Sequence, residues 1–204
     1  MRKDEKRLNI KHLPDEYAQY TGEFDRVGFK STMYHYVKTR YISKVVTICL
    51  KNIRDESGNL VADHNWFNYT YDFSKYGELA AGDTFSFRAK PQHYRKGRAF
   101  EEIDDYKLSQ PKSVKLICSD HDYIPLPTSR KELLGYAVIK ASAIHNFEGT
   151  GSPSMQKYVN AYYEWMKKAM EKMNVFKDFQ IQLRKTDSKN DNVHHSFQIG
   201  TCQP

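Results

Sequence analysis

Cysteine is scarce in this chain, and the little there is excludes several kinds of chemistry. Cys49, Cys118 and Cys202 are three in 204 residues, odd in number and far apart. Without a CxxC pair they provide neither a disulfide framework nor a zinc site. Cys49 and Cys118 fall in strand-like apolar runs, where a thiol acts as a small hydrophobe. Long apolar runs are missing as well. No stretch reaches about 18 apolar residues, which excludes a spanning helix. The opening MRKDEKRLNIKHLPDEY has no apolar segment of a secretory signal. A cytoplasmic location with no membrane partner is the expectation. G-x-S-x-G, H-E-x-x-H and dinucleotide fingerprints are absent. Gly149-Thr150-Gly151-Ser152 lacks the Gly-Lys-Ser/Thr ending of a phosphate loop and reads as a helix-capping linker. Asp63-His64 and His194-His195 place neighbouring side chains on opposite strand faces, with no further ligand at metal spacing. No cofactor, metal or catalytic residue is expected, and a non-enzyme follows.

What is present is aromatic and basic. The apolar fraction of 39% is low, but 15 Tyr and 11 Phe offset it, because each buried ring removes about 150–250 Å² from water. The length allows one sizeable domain, or a core domain with a small appendage. The net charge of +7 favours anionic partners, nucleic acid first, unless it serves solubility alone.

Along the chain, residues 1–23 read as a mobile or partly helical arm, with a turn or two opening at Leu13-Pro14 and stopped by Thr21-Gly22. Residues 24–41 are rich in β-formers and read as one or two strands. Val45–Ile53, a turn at 54–59 and Leu60–Tyr71 make a long hairpin. Phe73, Tyr76 and Leu79 follow at helical spacing. Gly82-Asp83 then leads into a strand where Phe85, Phe87 and Ala89 alternate with Ser86, Arg88 and Lys90. A further strand over 104–118 is bent at Pro111, which belongs at an edge or a bulge. After prolines 125 and 127, Ser129-x-x-Glu132 caps a helix, and Pro153 opens another. Met155, Tyr158, Val159, Tyr162, Met166, Ala169, Met170 and Met173 trace one face of that second helix, and no heptad array stands out. Alternation over 178–185 and 193–200 reads as a terminal hairpin.

The order strand, hairpin, short helix, Gly-Asp, strand, strand over about residues 40–120 resembles the oligonucleotide-binding barrel, the OB-fold. The resemblance rests on Val45–Ile53, Leu60–Tyr71, the run from Gly82 to Lys90, and Val114–Cys118. It implies an α+β protein: a small antiparallel OB-like barrel over 24–120, with a C-terminal helix pair and terminal hairpin over 121–204. It also implies single-stranded nucleic acid as partner, held by a cationic track and by rings on which bases stack. The track would be Arg88, Lys90, Arg95, Lys96 and Arg98, with Lys107 and Lys112 on the next strand. The platforms would be Trp66, Tyr69 and Tyr94. Trp66 and Phe67 point to opposite faces, so one is core, and burial habits favour Trp66.

The same cations would also serve as a solvated face that discourages edge pairing. The small, Tyr- and Lys-rich composition resembles accessory proteins of phages and plasmids. A second expectation is therefore a protein-binding module, such as an inhibitor of a host nuclease or defence complex. The Met155–Met173 helix is its surface for a partner or a second copy, with Tyr163 and Trp165 off the methionine stripe. The acidic cluster Glu101, Glu102, Asp104 and Asp105 leaves a metal-dependent nuclease as a third reading, although no further acid or lysine is seen to converge on it.

Overall fold

The computed structural model describes the backbone of residues 8–36, 39–96, 103–145 and 153–187, and side chains over 10–32, 43–95, 104–142 and 153–172. A short turn of helix, α1 (Leu8–Lys11), precedes two long strands, β1 (Ala18–Tyr36) and β2 (Thr39–Asp55), and then β3 (Leu60–Asn68). A second short helix, α2 (Tyr71–Ser74), leads to β4 (Thr84–Lys96) and β5 (Ile103–Cys118), and the chain ends in α3 (Arg130–His145) and α4 (Pro153–Asp187). All five strands form one antiparallel sheet in the order β3-β2-β1-β4-β5. Three hairpin-connected strands with the fourth beside the first make a Greek key.

The β-branched run of β2 explains its place near the middle. Val46, Thr47, Ile48, Cys49 and Leu50 are all buried, so both faces of the strand are covered. On the inner face Phe67 meets Phe87 edge-on at 5.3 Å between ring centres, and Phe73 from α2 meets Phe85 at 5.4 Å. Ile10 of α1, fully buried, joins the same core.

The sheet curls without closing through its backbone. Among the described residues no ladder joins β3 to β5. Their edges are bridged by one side chain: the Asn65 amide nitrogen donates to the Leu108 carbonyl at 3.0 Å, and the Leu108 N–H donates to Asn65 Oδ1 at 3.0 Å. Asn65 thus takes the role of a missing backbone partner for two groups that would otherwise be buried and unpaired. Along β5, an edge strand, the register against β4 slips three times, and Gln110 and Ser113 stand at φ 51°. Pro111 sits among these bulges, where its missing N–H costs no ladder bond.

The helices pack on the sheet through α3. Leu133 to Val138 is buried without interruption, as expected for a helix covered on more than one side. Here β1 and β2 lie against α3, and so does α4. At Gly135 the helices approach so closely that a Cβ would lie 2.0 Å from the Tyr158 carbonyl oxygen. No described helix is long and apolar enough to cross a membrane.

Three expectations need correction. Ala18–Gly22 belongs to β1, not to an N-terminal arm or helical turn. Gly22 is a site of close packing, where a Cβ would meet Ile53 Cδ1 at 2.7 Å. Residues 178–185 are helical, within α4, because no Gly or Pro interrupts 154–187 and the alternating Gln, Leu and Arg are good helix formers. Its expected partner over 193–200 lies outside the described residues. Strand β3 also stops at Asn68, short of Tyr71, which opens α2.

Candidate nucleic-acid interface

Strand alternation divides the expected site between two surfaces. On β3, Phe67 faces the core and Trp66 faces outward, 36% exposed. Sequence reasoning favoured the core for Trp66, but the indole instead lies across the outside of β1. A Cβ on Gly28 would come within 3.1 Å of its six-membered ring, so glycine makes room for it. The Arg26 guanidinium stands 5.5 Å from the ring centre and also pairs with Asp25 at 2.6 Å. Tyr69, proposed as a second platform, is core. It is 7% exposed, shares Phe67's side of the alternation and packs against Phe73 at 6.4 Å. Its hydroxyl has no partner among the described residues. Burial first, then Glu78 and Asp83, push its pKa upward.

The clasp between Asn65 and Leu108 brings β3 beside β5, so the next residues outward are Trp66 and Lys107. The Lys107 ammonium lies 4.9 Å from the centre of the Tyr94 ring. Tyr94 is held from below, its hydroxyl donating to Asp105 Oδ2 at 2.5 Å. Partial burial, and secondarily the positive charge of Lys30 on β1, hold the Lys107 pKa below the ordinary lysine value. No described carboxylate forms an ion pair with Lys107 or Lys30. A ring, two cations with no counter-ion among the described residues and a half-exposed indole therefore occupy the outer surface where β5, β3 and β1 come together.

The other expected cations go elsewhere. Arg88 donates to the Tyr17 carbonyl at 3.2 Å, and Lys112, its partner across the β4–β5 ladder, stands 4.2 Å from the centre of the Tyr17 ring. Together they make a second basic patch near the start of β1. Lys90 lines a cleft beside α1. Arg95 is on the side of β4 opposite Tyr94 and is tied to Asp104 at 3.8 Å, which His93 also approaches at 2.9 Å. Lys96 is the last residue of β4, and Arg98 lies outside the described residues. Lys30 was not foreseen, since nothing in the sequence links it to β5.

Among the described residues no three His, Cys, Asp or Glu side chains gather as metal ligands. Asp104 and Asp105 are engaged as described, while Glu101 and Glu102 lie outside the described residues. Asp63 and His64, expected on opposite faces, touch through Oδ1 and Nδ1 at 3.1 Å. No family model, curated protein or solved structure matches the chain.

Proposed function

We propose that the protein is a non-catalytic nucleic-acid-binding protein that prefers single strands, which it takes on the outer surface around Trp66, Tyr94, Lys107 and Lys30. The pair Lys30 and Lys107 carries the reading. Two ammonium groups near one another, one half-buried and neither ion-paired with a described carboxylate, are a poor arrangement in isolation and a good one around a phosphate. The flanking rings offer bases a stacking surface. The five-stranded, partly open Greek key with a short helix before β4 supports an OB-type ancestry for this surface.

Fluorescence anisotropy with labelled single- and double-stranded oligonucleotides, DNA and RNA, at two salt concentrations tests it. Single strands should bind more tightly and lose affinity steeply with salt. Lys107→Ala should reduce the salt slope by about one phosphate contact. Trp66→Ala should cost about 1–3 kcal/mol of binding. Absence of binding at low salt, or folded variants that bind like the parent, would overturn the assignment.

A second reading has its own support in α4. With 35 residues it is about 52 Å long, while the 16 residues of α3 cover about 24 Å at 1.5 Å per residue. Met155 and Val159 at its start are buried within the chain, while the helix runs on well beyond the length of α3. Tyr163 and Met170 are 49% and 57% exposed. We therefore propose α4 as the surface for a protein partner or a second copy, with oligomeric state by light scattering as its test.

A further inference from the structure

Where the chain before β1 folds back against the β4–β5 hairpin, it leaves a cleft of about 420 Å³ that neither Tyr94 nor Lys107 lines. That falls within the roughly 300–1,000 Å³ of small-molecule sites. Its apolar lining comes from Ile10, Leu13, Pro91 and Tyr106, its cations are Lys11 and Lys90, and His93 stands beside them. The His93 and Tyr106 rings meet edge-on at 5.2 Å between centres. His93 Nε2 lies 2.9 Å from Asp104 Oδ1, which fixes the imidazole beside the opening. No described carboxylate pairs with Lys11 or Lys90. Asp15 is the one acid in the lining.

We infer that this cleft binds a nucleotide, free or at the end of a strand. The division of labour follows from the lining. A planar base has an apolar and aromatic wall to lie against, and a phosphate has beside it two ammonium groups that no described carboxylate pairs. An inorganic anion would use the cations and leave the wall in water. An uncharged aromatic would do the reverse. A nucleotide uses both. The site is distinct from the surface proposed for single strands in that none of Trp66, Tyr94, Lys107 and Lys30 lines it. Pro91, His93 and Tyr106 face away from Tyr94 and Lys107 along the same two strands, although Lys90 and Gln92, which share the alternation of Tyr94, also line it. The end of a strand passing the edge of the hairpin reaches the cleft.

Titration calorimetry of the full chain tests the inference, with AMP, CMP, inorganic phosphate and adenosine as probes. Both nucleotides should bind with Kd no weaker than about 1 mM, and at least tenfold more tightly than phosphate or adenosine. Lys11→Ala and Lys90→Ala should each weaken AMP several-fold, and Lys107→Ala should leave it unchanged. Lys11 is on an exposed turn, so its variant reports on binding even if Lys90→Ala perturbs the strand. Oligonucleotides with 5′-phosphate, 3′-phosphate or neither then separate a strand end from a free nucleotide: competition with AMP by one phosphorylated end identifies the end, and competition by none identifies the free form. Nucleotides that bind no better than phosphate, or not at all at about 5 mM, would overturn the inference. So would an AMP affinity lost with Lys107. Because Lys107 and Trp66 report only on the outer surface, loss of that reading leaves this one standing, and the reverse.

Discussion

The inner and outer faces of the curled sheet are written with the same residue types and do opposite work. Inside, Tyr20, Phe67, Phe73, Phe85 and Phe87 pack ring on ring, and every one is buried. Outside, Trp66 and Tyr94 keep part of their rings in water and share the surface with Arg26 and Lys107. Aromatic content alone therefore says nothing about role in this protein. What separates the faces is whether a ring's neighbours are other rings or cations.

Truncation on each face should expose that difference most strongly. Phe87→Ala removes a fully buried ring from contacts with both Tyr20 and Phe67 and should cost about 3–5 kcal/mol in urea unfolding. Trp66→Ala on the outer face should cost less than half as much stability while abolishing most binding. Equal losses of stability would mean that Trp66 is structural and the two faces are alike.

Asn65 joins the two faces, so it is the next place to press. Asn65→Leu strands the N–H and C=O of Leu108 at about 1–3 kcal/mol for each group. We expect about 2–6 kcal/mol and faster amide exchange at Leu108 and its neighbours. Because Trp66 and Lys107 flank the clasp, single-strand affinity should fall even where the protein stays folded. Gly135→Ala tests a different junction, α3 against α4, where the added carbon meets backbone. Overpacking of this kind costs about 1–3 kcal/mol, and nucleic-acid binding should be spared.

Period-2 alternation carried much of this in the sequence, and where the reading went astray it neglected that rule. Residues 85, 87 and 89 were legible as core, and they are buried. The hairpin with its turn at 54–59, the start of α3 just after Ser129 and the edge position of Pro111 were legible too. Trp66 and Tyr69 were nominated together as platforms, although three residues along one strand face opposite ways. Tyr94 and Arg95 were likewise pooled. Lys107 and Lys112 show the converse. Five apart, they ought to oppose each other, and the bulges marked by Gln110 and Ser113 let them pair with Gln92 and Arg88 instead. Such bulges have no sequence signature beyond Pro111. The approach of Lys30 to Lys107 depends on the curl of the whole sheet, which no local pattern encodes.

The smallest expected effect concerns His121, which fastens the segment before α3 to the start of β4. Its Nε2 lies 2.9 Å from Oδ2 of the buried Asp83, and its Nδ1 is 3.0 Å from the Asp122 carbonyl oxygen. With an acceptor at each nitrogen, the doubly protonated ring is favoured, chiefly through the Asp83 hydrogen bond, and its pKa is raised. The folded state therefore holds this proton more tightly than the unfolded chain. The stabilisation is fully present below the ordinary histidine value near 6.5 and is lost as pH rises through the higher folded value. Unfolding free energy should decline modestly over that interval, and His121→Gln should flatten the decline. Asp83 also accepts the Ala80 N–H at 2.9 Å through Oδ2, so Asp83→Asn would disturb the turn as well as the charge, which makes the histidine the cleaner probe. A parent and variant with parallel pH profiles would show that His121 is held by packing rather than by its charge. The outer surface should be indifferent to this titration, since none of its groups lies on the segment that His121 secures.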